Sequence, residues 1–156
     1  ERFMNDRQSA RLMGLQPTGN GRRESYQDHV MTRMTSTYMA AGNDKPEDMI
    51  KDIKHGIYAE SFKGGSVNTP TGAFNFGATL AWRIEKGQLV EPIKGAVLTG
   101  DVRSALLGVS MVGDDCALDA GTGVCGKNGQ SVPVNVGQPS VRIDHGIKVS
   151  GAGGPA

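Results

Sequence analysis

One stretch of the chain decides its fold class, Phe74-Asn75-Phe76-Gly77-Ala78-Thr79-Leu80-Ala81-Trp82-Arg83-Ile84-Glu85. Large or apolar side chains occupy every second position, and mostly polar or small residues lie between them. This period of two predicts a strand that is buried on one face and wetter on the other. The turn Glu85-Lys86-Gly87-Gln88 follows, and residues 89–98 are predicted to return as an antiparallel partner. Pro92 within that return indicates an edge position or a bulge.

A short amphipathic helix is predicted upstream of this strand. Asn43 or Asp44 can act as its N-cap, Pro46 suits its first turn, and Gly56 is expected to end it in the left-handed conformation. Its apolar stripe consists of Met49, Ile50 and Ile53. His55 falls at the end of this helix, where a charged imidazole would suit the dipole, so we interpret it as a capping or surface residue.

The remaining segments extend the same pattern. Strand-like runs cover residues 25–42, 57–62, 132–136 and 141–149. A second short helix over residues 102–107 is predicted to start from Asp101 as N-cap, with Val102, Ala105 and Leu106 facing inward. The sequence therefore predicts a β-rich α+β fold of antiparallel strands with one or two short helices.

Length and charge set the domain organisation and exclude some partners. The 156 residues suffice for one domain, and a first residue other than methionine suggests a piece of a longer protein. We predict a flexible or partner-docked segment at 1–24, a domain at 25–149 and a frayed tail at 150–156. Seventeen basic residues nearly balance sixteen acidic ones, which argues against nucleic acid or a membrane as direct partner. Without a long apolar run or a signal peptide, a cytoplasmic location is expected.

Arginines are concentrated in the first segment, at Arg2, Arg7, Arg11, Arg22 and Arg23. They could form a nucleic-acid-binding arm, or a solvated or partner-docked tail. Phe3 is the only aromatic residue interleaved with them, which favours the tail, because single strands are usually bound with several stacking side chains.

The most specific chemical signal is Cys125 within the glycine-rich run Gly121-Thr122-Gly123-Val124-Cys125-Gly126-Lys127-Asn128-Gly129-Gln130. We expect a flexible ribbon that presents the sulfur, and thiolates are soft ligands that suit zinc. The alternative is a small apolar residue buried in a turn. Lys127 either lowers the pKa of the thiol or is a solvated lysine. Cys116 is expected in the core; a disulfide or redox pair with Cys125 is the alternative to reduced thiols.

An ordered set of motifs spans nearly the whole chain and resembles the C-terminal domain of the TldD/PmbA family of zinc metallopeptidases. The motifs are Arg23-Glu24-Ser25-Tyr26, Arg33-Met34-Thr35, Thr37-Tyr38-Met39, Gly56-Ile57-Tyr58-Ala59, Ser110-Met111-Val112-Gly113-Asp114-Asp115, Gly123-Val124-Cys125-Gly126-Lys127, Gly129-Gln130 and Val136-Gly137-Gln138-Pro139. The cysteine points to the TldD branch, because the PmbA (TldE) branch lacks it.

The resemblance implies a zinc ion (Zn2+) held by Cys125 and by two histidines of a His-Glu-x-x-x-His helix. It also implies extended or unfolded peptides as substrates, laid along a strand edge, and a PmbA-like subunit or second copy as partner. His29, His55 and His145 do not begin such a motif. The motif would therefore lie upstream of Glu1, which leaves this chain one ligand, no catalytic residue and no activity alone.

Three glycines are candidates for contact with a substrate backbone. They are Gly64, Gly65 and Gly126, although Gly64-Gly65 also suits a plain tight turn. Asp114 and Asp115 resemble a catalytic pair, but adjacent residues point apart, so we interpret them as turn formers. The alternative function is a non-catalytic protein-interaction domain of the gyrase-modulator type.

Overall fold

The computed structural model describes residues 4–121 and 123–151. The helices in these ranges are α1 (Arg7–Met13), α2 (Pro46–Lys51) and α3 (Val102–Leu107). The strands are β1 (Gly21–Arg22), β2 (Met31–Thr32), β3 (Thr37–Tyr38), β4 (His55–Val67), β5 (Ala73–Glu85), β6 (Gln88–Ile93), β7 (Val97–Asp101), β8 (Val109–Val112), β9 (Ala117–Leu118), β10 (Gly123–Lys127), β11 (Gln130–Val134), β12 (Val136–Gln138), β13 (Val141–Ile143) and β14 (Ile147–Ser150). Short helices among mostly antiparallel strands confirm the β-rich α+β class.

The predicted amphipathic strand is the centre of the largest sheet, whose order is β14-β7-β5-β4 with β6 also paired to β5. One edge of β5 pairs with β4 from Phe74 to Glu85, and its other edge pairs with β6 and β7. The alternation is confirmed at Ala78 and Ile84, which are buried on the expected parity. Ala81 departs from it, because this small residue is fully enclosed in a cluster with Ala78 and Ala96.

The single return strand predicted over residues 89–98 is in fact two strands. β6 and β7 pair with different halves of β5, and Gly95, at φ 72°, turns the chain between them. The amide of Ala78 donates to the carbonyl oxygen of Ala96 at 2.8 Å across this break. Both features expected of Pro92 are confirmed: β6 pairs with β5 alone among the described strands and is therefore an edge strand, and its register shifts opposite Arg83 and Ile84.

The first predicted helix is shorter than its sequence signals suggested. Pro46 occupies the first turn as predicted, but the N-cap is Lys45, without a side-chain hydrogen bond. The Asp44 carboxylate instead accepts the Val112 amide at 2.8 Å. The predicted stop at Gly56 was also wrong, because α2 ends at Lys51 with Asp52 as its C-cap, and Gly56 belongs to β4.

The second predicted helix has the expected cap but not the expected inner face. Asp101 is the N-cap of α3 and accepts the Ser104 amide at 2.9 Å. Ala105 is buried, whereas Val102 and Leu106 are exposed, so the inward placement of these two was wrong. A six-residue helix has too few turns to bury a wide face.

The chain divides into two compact units. One contains the residues up to Ala40 together with Cys116–Gln138, and the other contains Ala41–Asp115 with the segment from Pro139. The first unit holds α1, whose N-cap Asp6 accepts the Ser9 amide at 2.7 Å. The predicted strand over residues 25–42 is reduced to the two-residue strands β2 and β3. From residue 152 onward, the predicted tail lies outside the described residues.

Within residues 4–121 and 123–151, the structure contains no helix that is long and apolar enough to cross a lipid bilayer.

Candidate metal centre

Cys125 lies in a β-hairpin and not on the flexible ribbon that the glycines suggested. β10 pairs with β11, and Cys125 is opposite Val132. Asn128 and Gly129 form the turn with φ of 50° and 76°, the left-handed values that an Asn-Gly hairpin turn requires. Val132 and Val134 are buried on the inner face of β11, which anchors the hairpin. Asn128-Gly129 was the sequence signal for this hairpin, and the sequence interpretation overlooked it.

A buried arginine is hydrogen-bonded to both strands of this hairpin. Arg33 is 1% exposed, and its Nη2 donates to the carbonyl oxygens of Cys125 and of Gln130, the latter at 3.1 Å. Its backbone is fixed by Asn20: the Arg33 amide donates to the Asn20 carbonyl oxygen at 2.8 Å, and Asn20 Nδ2 donates to the Arg33 carbonyl oxygen at 3.0 Å. The Arg33 side chain therefore joins the two strands, and one of its two contacts is with Cys125 itself.

The guanidinium of Arg33 is only partly satisfied by these contacts. Its Nε and Nη1 are buried and have no hydrogen-bond partner among the described residues. Buried polar groups nearly always find partners, so two unpaired guanidinium nitrogens beside a cysteine indicate that an acceptor belongs there. In the sequence, Arg33 stands out only as part of the motif Arg33-Met34-Thr35, and it was not predicted to be a site residue.

Nearby N–H groups lower the pKa of the Cys125 thiol. The largest contribution to this lower pKa is the backbone amide of Met34, followed by the proximity of the Arg33 guanidinium; partial burial opposes both. The charge of Lys127 acts in the predicted direction but contributes least. Its ammonium instead donates to the carbonyl oxygen of Thr32 at 3.2 Å. The half-buried sulfur is thus biased toward the thiolate, the form that binds metal.

Cys125 does not belong to a complete set of metal ligands in the described part of the chain. No group of three or more His, Cys, Asp or Glu side chains is placed to hold a metal ion there. His29, His55 and His145 are all exposed. His55 is the first residue of β4, so its predicted position at a helix end was wrong. The donor set fits zinc as one thiolate of a site that other residues must complete.

Cys116 lies outside the β10–β11 hairpin. It is exposed, and its Sγ donates to the carbonyl oxygen of Met39 at 3.3 Å, so the prediction of a core residue was wrong. The neighbouring β9 is exposed at both residues, which leaves no core for the sulfur to enter. Cys116 and Cys125 are both free thiols, which agrees with the expectation of reduced cysteines.

The adjacent carboxylates Asp114 and Asp115 lie at a bend and in an irregular segment, respectively. Asp114 forms an ion pair with Lys45, whereas Asp115 accepts the Ser140 amide at 2.8 Å and the Ser140 hydroxyl at 2.7 Å. These contacts with Ser140 also lower the pKa of Asp115. Each carboxylate therefore has a different structural partner.

The three candidate glycines differ in why they lack a side chain. Gly64 and Gly65 lie within β4 at a register irregularity, so the predicted tight turn was wrong. A Cβ on Gly65 would lie 2.0 Å from the Asn75 carbonyl oxygen, and Gly64 has a φ of 129°. Gly126 in β10 has an ordinary φ, and a Cβ there would meet nothing within 4 Å. Local packing thus explains Gly65 and backbone conformation explains Gly64, but neither explains Gly126.

The chain matches a recognised domain family. The sequence model of the PmbA/TldA metallopeptidase C-terminal domain matches residues 1–151. The chain therefore belongs to the PmbA/TldA (TldD/PmbA) metallopeptidase family and represents its C-terminal domain.

Curated relatives carry the TldD name. The chain is 52% identical over 149 residues to "Metalloprotease TldD homolog" of Haemophilus influenzae, covering 96% of this chain and 31% of that protein. It is 34% identical to "Zinc metalloprotease TldD homolog" of Saccharolobus solfataricus, covering 96% of this chain and 33% of the relative. The chain thus spans about a third of the length of these relatives.

Solved structures share the fold. TldE from Thermococcus kodakarensis has a TM-score of 0.72 at 23% identity, covering 97% of this chain and 31% of that one. A putative modulator of a DNA gyrase from Thermotoga maritima has a TM-score of 0.68 at 20% identity, covering 96% and 30%. At these identities the likeness establishes the fold alone.

Proposed function

We propose that this domain supplies the Cys125 thiolate as one zinc ligand of a metallopeptidase that hydrolyses extended or unfolded peptides. The observation that carries the proposal is the position of Cys125 in a protein of this family, beside a buried guanidinium with two unpaired nitrogen atoms. Metalloprotease names among the relatives support the class of reaction. The zinc ligand and the substrate class are our inference.

The domain contributes a ligand, and the reaction requires the rest of the protein. Catalytic zinc sites usually have three protein ligands and one open position. When bound, zinc polarises a peptide carbonyl and acidifies a water molecule. The other ligands and the catalytic carboxylate are assigned to a His-Glu-x-x-x-His helix outside this sequence, because the described residues offer no such cluster. The chain alone should therefore be inactive.

An exposed strand edge supports the proposed substrate class. β4 ends the large sheet, and residues 60–67 of this strand are all exposed. An extended peptide can pair with such an edge through backbone hydrogen bonds, which does not depend on its side chains. Gly64 and Gly65 in β4, and Gly126 beside the cysteine, are the proposed points of close approach.

The proposed setting is a cytoplasmic assembly with a PmbA-like subunit or a second copy of the protein. The near balance of seventeen basic and sixteen acidic residues gives no electrostatic reason for direct binding to nucleic acid or a membrane surface.

A Gly126→Ala variant distinguishes a structural role of this glycine from a role in substrate binding. We expect the free energy of unfolding of the full-length protein to change by less than about 0.5 kcal/mol, because the new methyl group meets no other atom. If a peptide passes over this position, KM for an unfolded peptide should rise several-fold. Chemical denaturation and steady-state kinetics measure the two effects. Unchanged KM would remove Gly126 from the substrate-binding residues.

Removal and restoration of zinc test the proposed function as a whole. The full-length protein should lose hydrolysis of an unfolded peptide after treatment with a chelator and regain it with stoichiometric zinc. The isolated chain of 156 residues should show no hydrolysis under either condition. Full activity of thoroughly metal-free protein, or activity of the isolated chain, would contradict the proposal.

The second candidate is a non-catalytic interaction domain that acts on a topoisomerase. The Thermotoga maritima protein that shares this fold is described as a putative modulator of a DNA gyrase, which favours this candidate. The complete parent sequence discriminates between the two candidates. A His-Glu-x-x-x-His motif upstream of Glu1 supports the enzyme, and its absence supports the interaction domain.

A further inference from the structure

We propose that Arg33 is the positioning residue for Cys125, which fixes the direction of the sulfur toward the metal. The inference rests on the proposed function, because it presupposes that Cys125 is a zinc ligand. Groups behind a metal ligand commonly orient it, and their loss typically weakens metal binding by about 10–100-fold.

The first support is the clamp that Arg33 forms across the hairpin. A single nitrogen, Nη2, donates to a carbonyl oxygen on each strand, that of Cys125 in β10 and that of Gln130 in β11. The contact with Cys125 is to its own backbone, so the clamp acts directly on the residue that carries the sulfur. A β-hairpin is otherwise marginally stable by itself and would leave the ligand poorly fixed.

The second support is the rigidity of the clamp. Arg33 is 1% exposed, and reciprocal hydrogen bonds with Asn20 fix its backbone on both sides. Asn20 is itself 5% exposed, and its Oδ1 accepts the Thr18 hydroxyl. With its backbone fixed and its side chain buried, Arg33 has little freedom to follow a displaced hairpin.

The third support is the remaining hydrogen-bonding capacity of Arg33. Nε and Nη1 are buried without partners among the described residues, although a buried guanidinium ordinarily satisfies its donors. A metal-bound sulfur keeps lone pairs that can accept N–H groups. The arginine fork can therefore hold the backbone of Cys125 with one nitrogen and face its sulfur with the others.

The experiment compares two arginines that make similar contacts in the same unit. Arg33→Met in the full-length protein removes the clamp at Cys125. Arg22→Met is the matched control, because Arg22 donates to the carbonyl oxygens of Met34 at 2.6 Å and of Pro133 in β11 at 2.7 Å, away from the Cys125 backbone. Both variants lose two carbonyl contacts. The readouts are zinc affinity by competition with a chelator and the thiolate-to-metal charge-transfer band of the cobalt-substituted protein.

Arg33→Met should weaken zinc binding by about 10–100-fold and weaken or shift the cobalt band, whereas Arg22→Met should affect both much less, because Arg22 reaches Cys125 only indirectly, through the backbone of Met34. Arg33→Lys should recover part of the affinity, because an ammonium keeps donors but lacks the planar fork. If Arg33→Met does not fold, Arg33→Lys decides by the same readouts. The inference would be overturned if Arg33→Met, or Arg33→Lys where Arg33→Met does not fold, kept the wild-type zinc affinity and cobalt spectrum. Equal losses of zinc affinity in the Arg22 and Arg33 variants would also overturn it.

Failure of this inference is distinguishable from failure of the proposed function. If Cys125→Ser loses zinc while Arg33→Met retains it, Cys125 remains a ligand and only the role of Arg33 is wrong. If Cys125→Ser retains zinc with its wild-type affinity, the proposed function fails first.

Discussion

Replacing Cys125 by serine in the full-length protein is expected to abolish zinc retention and peptide hydrolysis together. A serine hydroxyl is a much poorer zinc ligand than a thiolate, and removing a direct ligand should cost more than the loss of a supporting group. We therefore expect zinc affinity to fall by more than about 100-fold, the upper end for a supporting group. Metal content after dialysis and hydrolysis of an unfolded peptide measure the two effects on the same sample.

Cys116→Ser is the matched control for this prediction. The change is chemically identical, but Cys116 is exposed and its sulfur contacts only the Met39 carbonyl oxygen among its described hydrogen-bond partners. Zinc content and hydrolysis should therefore remain at wild-type levels. If Cys125→Ser hydrolyses peptide normally with a full complement of zinc, Cys125 has no part in the reaction.

The largest expected effect on stability comes from adding one methyl group at Gly65. A Cβ there would lie 2.0 Å from the Asn75 carbonyl oxygen and 2.4 Å from the Phe76 ring. The first of these atoms belongs to the backbone of the central strand and cannot move without disturbing the sheet. Gly65→Ala should therefore lower the free energy of unfolding by about 3 kcal/mol, at the upper end for overpacking. Denaturant unfolding of the full-length protein measures this loss.

The Gly126→Ala variant serves as the control for Gly65→Ala, because it adds the same methyl group to another strand where nothing lies within 4 Å. Equal stability of the two variants would show that the close approach of β4 to Asn75 does not constrain the sheet. A stable Gly65→Ala protein with a raised KM would instead make Gly65 a substrate contact.

Local sequence signals predicted those parts of the fold that depend on neighbouring residues. Alternation along β5 placed the central strand, and Asp101 marked the start of α3. Pro92 marked an irregular edge, because proline lacks the N–H that an interior strand would use. Each of these features is dictated within a few residues of chain.

Features that depend on distant residues could not be predicted in the same way. Gly56 was expected to end a helix, but it pairs with Ile84 in the large sheet. The residues that surround Cys125 are the clearest case, since Arg33 lies 92 positions away in the sequence. Arginine side chains are ordinarily solvated, and only the fold encloses this one. Spacing within one segment carries no information about such a pairing.

The separation between Arg33 and Cys125 has a consequence for biosynthesis. At roughly 5–20 residues per second, translation of the 92 intervening positions takes on the order of 5–20 s. During that interval the guanidinium has neither of its carbonyl acceptors, so the segment around Asn20 and Arg33 cannot complete its burial before Cys125 and Gln130 emerge. The hairpin that carries Cys125 and its support therefore mature together, only after the second segment of their unit has emerged.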